Sequence, residues 1–180
     1  MTLVRVMGID PGSVVTGFGI IETDGIRSFH LTHGHIRVRG ESFCERLGHI
    51  HSAIGEVVAE WLPAEVAIEQ VFMSNNAMSA LKLGQARGAA ITAVVSRAIG
   101  VSEYAPRAIK QVVTGAGGAG KEQVQTMVRA LLQIEDALQA DAADGLAIAV
   151  CHAHSRVGRN AGPVPALSPR RRSRGRGLRL

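Results

Sequence analysis

Val4–Gly12, VRVMGIDPG, is the stretch whose reading decides the fold. Val4, Val6, Met7 and Ile9 form a short apolar run, and Pro11-Gly12 ends it, which predicts a buried strand. A single acid, Asp10, sits at the strand's carboxyl end. Sheet proteins place chemistry there, because the backbone is held rigidly while the next loop opens to solvent. A carboxylate at a buried strand end is costly unless a cation or a donor meets it. The rest of the chain is therefore read for acids that could reach Asp10.

The chain has 180 residues and is 46% hydrophobic, enough for one domain with a sizeable core. No apolar run approaches the length of a membrane span, and the N-terminus enters a strand without a signal-peptide pattern, so a cytoplasmic protein is expected. Cys44 and Cys151 are too few and too distant for a disulfide framework and are expected to be core thiols. The net charge of +5 is unevenly placed: residues 156–180 carry eight Arg and no acid, whereas residues 1–155 carry 12 basic and 15 acidic residues. The high pI belongs to the tail, so the location of charge is more informative than its total.

Outward from the first strand, Thr16–Glu22 and Gly25–Arg37 read as two more strands in a meander. Ser42 with Glu45 is a capping-box pair opening a helix to about Trp61, which Pro63 stops. Val66–Gln70 (VAIEQ) is a short apolar run ending in an acid, Glu69. Asn76–Ile99 reads as a long helix. Its Gly84 and Gly88, with Ala77, Ala80 and Ala89, make a small-residue face suited either to packing within the chain or to a second copy. Val101–Tyr104 is a fifth strand, and Pro106–Val113, Lys121–Leu132 and Asp141–His154 are further helices. From Arg156 on, Gly, Pro, Ser and Arg dominate, which predicts a disordered basic tail at 156–180 behind a domain at 1–155. The expected architecture is α/β, with a mixed five-stranded sheet and helices on both faces.

Asp141 and Asp144 lie three residues apart in QADAADGLAIAV, on one face of a helix start. Acids in a first turn are also favoured by the helix dipole alone. Taken with Asp10 and Glu69 at strand ends, the pattern points to convergent carboxylates, which repel unless divalent cations hold them. Hard oxygen donors suit Mg²⁺ or Mn²⁺. Two such ions about 4 Å apart can activate water and stabilise the leaving oxygen at a phosphodiester.

GIDPGSVVTGFGII (8–21), AIEQVFMSNNAMSALKLGQARGAAI (67–91) and QADAADGLAIA (139–149) together resemble the RuvC family of Holliday-junction resolvases, over about residues 3–155. The resemblance implies an RNase H-like fold and a homodimer that cuts four-way junction DNA with paired nicks, leaving 5′-phosphate and 3′-hydroxyl ends, in recombination and repair. It matches the family's four acids to Asp10, Glu69, Asp141 and Asp144, with Asp10 as the bridging metal ligand and the others flanking. It also implies that Lys110 and Lys121 contact phosphates near the cut, and that the enzyme works beside the RuvA and RuvB branch-migration proteins. Phe72, on a polar loop three residues after Glu69, is a candidate for stacking on an unpaired base. Family members often carry a basic residue in this loop, where Ser74, Asn75 and Asn76 are uncharged. Arg87 and Arg107 are weaker DNA-contact candidates, and the Arg-rich tail could add nonspecific phosphate contacts.

Two rival readings have sequence support. GAGGAGK (115–121) has the spacing of a phosphate-binding loop, but Glu122 stands where a Ser or Thr hydroxyl is needed, and the segment before it reads as a helix. A noncatalytic junction-binding module would use Phe72 and the tail without cutting. Of the three His-x-His pairs, His33/His35 shares a strand face, but nothing else joins it as a ligand. His152 is too far along its helix from Asp141 to serve beside it.

Overall fold

A computed structural model describes residues 2–71 and 76–160. Strands β1 (Val4–Asp10), β2 (Val15–Thr23) and β3 (Ser28–Arg37) are followed by helix α1 (Phe43–Trp61), β4 (Glu65–Glu69), α2 (Ala77–Val95), β5 (Val101–Tyr104) and then three helices, α3 (Pro106–Thr114), α4 (Lys121–Leu132) and α5 (Ala140–Asn160). The sheet order is β3-β2-β1-β4-β5, with β1/β2 and β2/β3 antiparallel and β1/β4 and β4/β5 parallel. This is the mixed, five-stranded RNase H-like arrangement that the sequence predicts.

Side-chain alternation along the strands divides the interior in two. Val6, Ile21 and Ala67 face α3, α4 and α5 in one core, with Leu146, Ile148 and Val150 fully buried from α5. Met7, Ile9, Ile20, Val66 and Ile68 face α1 and α2 in the other, against Ile50, Ile54, Ala86 and Ala90. Each buried aliphatic side chain stabilises the fold by about 1.5–3 kcal/mol. The capping box that opens α1 is formed: Ser42 Oγ accepts from the Glu45 N–H, and the Glu45 carboxylate accepts from the Ser42 N–H. None of the described helices is long and apolar enough to cross a membrane.

α5 is the central helix. It lies on β1 and β2, and two glycines let it come down onto the backbone. A Cβ on Gly17 would stand 1.9 Å from the Asp141 carbonyl oxygen, and one on Gly8 would stand 2.1 Å from that of Gly145. Any side chain there would lift the helix off the sheet. α5 also runs to Asn160, past the point where sequence composition suggested the tail begins. Residues 161–180 lie outside the described residues.

One detail differs from expectation. Cys44 is exposed, and only Cys151 is a core thiol. On β3, His33 and His35 keep the regular two-residue spacing of one strand face, and an irregularity near Leu31, opposite Ile20/Ile21, also brings His30 to His33, ring nitrogens 2.8 Å apart, Nε2 to Nδ1. As the sequence indicates, the 115–120 link joins α3 to α4, helix to helix, so no strand leads into GAGGAGK as a phosphate-binding loop requires.

Candidate active site

Asp10 and Glu69 are brought together by strand parity and register. Val6, Gly8 and Asp10 share one face of β1, and Glu65, Ala67 and Glu69 share one face of β4. The two strands are parallel neighbours with Ile9 opposite Ile68. The next residue on each strand is therefore an acid, side by side with the other at the carboxyl ends and facing α5. Their carboxyls share a hydrogen bond.

The first turn of α5 supplies the other two acids. Asp141 sits directly over Gly17, and Gly17 is the antiparallel partner of Asp10. The contact that the glycine permits thus delivers the helix start to the strand ends. Asp144, one turn on, is half-buried on the same side.

The electrostatics are those of acids crowded away from water. Burial, then the charges of Glu69 and Asp144, and more weakly Asp141, push the Asp10 carboxyl from 3.8 to about 7, against a lesser opposing pull from Lys121. Glu69 is raised by its burial and by Asp144, partly offset by the hydrogen bond from Asp10. Asp144 is raised by burial and pulled back by Lys121, whose Nζ lies 3.5 Å from its Oδ2. Lys121 opens α4 and is well exposed, so its ammonium reaches the acids from the solvent side. Lys110, on α3, is close enough to act on both Glu69 and Asp144.

The donors are all carboxylate oxygens, the class that binds hard divalent cations. Among the described residues, no three of His, Cys, Asp and Glu are close enough, as they stand, to hold one ion. Asp10 and Glu69 are paired by a shared hydrogen bond, and Asp144 is paired with Lys121. A set of acids held together by a proton and an ammonium, with their ionisation suppressed, has the chemistry of a cation site. The residues present fit that group.

The other candidates are spread around this centre. Phe72 lies outside the described residues, as does most of the tail. Arg107 is exposed on α3 and packs over Gly117 of the glycine-rich link. Arg87, on α2, is largely buried and holds two protein groups: its Nε donates to the Glu69 carbonyl at 3.0 Å, and its Nη2 pairs with Glu103 at 2.7 Å. His152 is buried at the far end of α5, where it contacts the Tyr104 hydroxyl at 3.0 Å and the Glu65 carboxylate at 2.6 Å. Sequence reading passed over Gly8 and Gly17. Their two-residue offset from Asp10 and from Gly19 was the available signal, because glycines repeating on one strand face mark a close backbone approach.

Comparison with known proteins gives a consistent result. A family model described as crossover junction endodeoxyribonuclease RuvC matches residues 6–152. The crossover junction endodeoxyribonuclease RuvC of Psychromonas ingrahamii is 50% identical over 150 residues, covering 83% of this chain and 87% of that protein. Its counterpart from Geobacter metallireducens is 54% identical over 152 residues, covering 84% and 93%. Thermus thermophilus RuvC, solved in complex with Holliday junction substrate, superposes with a TM-score of 0.80 at 35% identity, covering 86% of this chain and 96% of that one. The yeast mitochondrial Holliday junction resolvase Ydc2 shares the fold at a TM-score of 0.64 and 9% identity.

Proposed function

The chain belongs to the RuvC family of crossover junction endodeoxyribonucleases, and we propose that it resolves four-way DNA junctions at the Asp10, Glu69, Asp141 and Asp144 cluster. It is a metal-dependent nuclease that acts on Holliday-junction DNA. The observation that carries the site assignment is the pairing of Asp10 with Glu69 beneath the first turn of α5, with Asp10 held protonated to about pH 7. Crowded acids of that kind destabilise a fold, and a bound divalent cation removes the cost.

In this reading Asp10 is the shared ligand, and Glu69, Asp141 and Asp144 flank it, for Mg²⁺ or Mn²⁺, two per active site. When bound, the ions supply Lewis-acid stabilisation of charge that develops on the phosphate oxygens. The chain supplies the rest. The strand ends and the α5 start hold the backbones of the four acids in place, so that side-chain movement alone would gather them on a cation. Lys121 is held near the site by Asp144, where its exposed ammonium would meet a phosphate oxygen. Lys110 offers a second cation from α3, and Phe72, three residues after Glu69 in the sequence, is the candidate for base stacking. Phosphodiester hydrolysis there leaves a 5′-phosphate and a 3′-hydroxyl.

A homodimer supplies two such sites to a substrate with two-fold symmetry. The exposed face of α2 supports this arrangement: Met78 and Leu81 are more than half exposed, and Cβ positions on Gly84 and Gly88 would meet nothing within 4 Å. The Gly84/Gly88 part of the small-residue face is therefore left open for a second copy, while Ala89 packs on the core. Residues 1–155 form the nuclease domain in this proposal, and the basic tail that follows adds salt-dependent DNA affinity. The enzyme acts in the cytoplasm beside the RuvA and RuvB branch-migration proteins.

The test uses a synthetic four-way junction and a plain duplex of the same sequence, each with Mg²⁺, Mn²⁺ or EDTA. Symmetric nicks in the junction alone, dependent on metal and lost in Asp10→Asn with binding retained, are the expected result. A protein that binds the junction but leaves it intact under every metal condition would be a binding module and would overturn the assignment.

A further inference from the structure

Arg87 stands on the opposite face of the sheet from the four acids, yet it is joined to one of them through the backbone. Glu69 is the last residue of β4 and pairs with Tyr104 of β5, and the Gln70 N–H donates to the Tyr104 carbonyl at 2.8 Å. Tyr104 packs on the α5 side, so Glu103, its neighbour on β5, points to the α2 side. Arg87 comes up from α2, donates from Nε to the Glu69 carbonyl at 3.0 Å, and pairs through Nη2 with Glu103 Oε2 at 2.7 Å. One planar guanidinium thus ties the end of β4 to β5 just where the chain leaves the sheet.

We infer that Arg87 is a positioning residue for the Glu69 carboxylate, with Glu103 orienting its guanidinium, rather than a contact to DNA phosphate. The inference rests on the reading of Glu69 as a metal ligand. Two physical facts support it. Only 18% of the Arg87 side chain is exposed, and to meet a phosphate it would have to abandon both protein partners. The Nε–H donates to the Glu69 carbonyl while Nη2 pairs with Glu103 by charge, and a lysine ammonium does not reproduce that planar arrangement. Glu69 has no following strand to anchor it, so its main-chain carbonyl is the point at which the carboxylate can be steadied from behind. Displacing a ligand by about 1 Å costs on the order of 100-fold in rate.

Three variants, Arg87→Ala, Arg87→Lys and Glu103→Ala, together with the double variant Arg87→Ala/Glu103→Ala, test the inference in the full-length protein. Junction affinity is measured by gel shift in Ca²⁺, the cleavage rate by single turnover at saturating enzyme, and Mn²⁺ affinity without DNA by the EPR signal of free Mn²⁺. Both Arg87 variants should lose about 10- to 100-fold in cleavage rate while junction affinity stays within about twofold, and Mn²⁺ binding should weaken several-fold. Glu103→Ala should lose about 3- to 10-fold in rate, and the double variant should be no slower than Arg87→Ala, because the two residues act as one unit. Weakened junction binding with an unchanged saturated rate, or full activity in Arg87→Lys, would overturn the inference, since a phosphate contact needs only the charge. Should Arg87→Ala fail to fold, Arg87→Lys and Glu103→Ala decide the matter. A wild-type protein that does not cut junctions refutes the nuclease reading instead, and the Mn²⁺ titration still reports on Arg87 separately.

Discussion

Replacing Asp10 with Asn should abolish cleavage and, in the absence of metal, make the protein more stable. In the unfolded chain Asp10 loses its proton near 3.8, whereas in the folded chain burial and the neighbouring acids hold it to about 7. Between those values the folded state binds the extra proton, so its stability falls as pH rises from about 4 to about 7 and then levels off. At about 1.4 kcal/mol per pH unit the gap amounts to about 4 kcal/mol as a ceiling. Water entry and movement of the flanking acids reduce it, and about 1–3 kcal/mol is expected at pH 8. For a chain of this size 2 kcal/mol corresponds to about 4–8 °C in melting temperature. Asn has the size of Asp, carries no charge and can still donate to Glu69, so it removes the penalty and little else. Urea unfolding in EDTA, at pH 4.5 and pH 8, should show the two proteins similar at the lower pH and Asp10→Asn ahead at the higher. Mg²⁺ at about 100 times its dissociation constant should then raise wild-type stability by about 2.7 kcal/mol and leave Asp10→Asn almost unmoved. An Asp10→Asn protein that is no more stable than wild type at pH 8, or that keeps the full metal response, would refute the electrostatic account of this site.

Three further outcomes follow from the same geometry. Gly17→Ala places a Cβ 1.9 Å from the Asp141 carbonyl, so it should destabilise the fold by about 2–4 kcal/mol in urea melts and lower metal affinity, whereas Gly84→Ala, with open space at its Cβ, should leave monomer stability unchanged or slightly raised. Lys121→Gln removes the ammonium 3.5 Å from Asp144, so metal-free stability at pH 8 should fall modestly and the single-turnover cleavage rate should drop at least tenfold, read on the junction substrate. Burial pushes the Glu65 carboxyl up, but the hydrogen bond from His152 and the charge of Arg156 outweigh it and hold it below its ordinary 4.5. Its contribution is therefore present above about pH 4.5 and lost as pH falls through the lowered value. Glu65→Gln should cost about 1–2 kcal/mol at pH 7 and flatten that acid limb of the stability curve.

The order and nearly the full extent of the ten elements were legible in the chain, because each is set by local signals: apolar runs with turn residues for the strands, the Ser42/Glu45 box for α1, and Pro106 at the start of α3. The four acids were legible as a set because two end apolar strands and two share a helix turn, a pattern that depends only on spacing. What the chain alone left undecided needed atoms brought together from distant positions. It offered Arg87 only as a weaker DNA-contact candidate; the fold sets its guanidinium against the Glu69 carbonyl and Glu103. It set His33 and His35 on one strand face; an irregularity in β3 added His30 beside His33. It left the Gly84 face open between internal packing and a second copy; the fold set that face outward. Period and composition specify which backbone segments form and which way their side chains alternate. Where a long polar side chain finds its partner depends on register and helix docking, and those are settled only when the close contact of α5 at Gly8 and Gly17 fixes the layers in place.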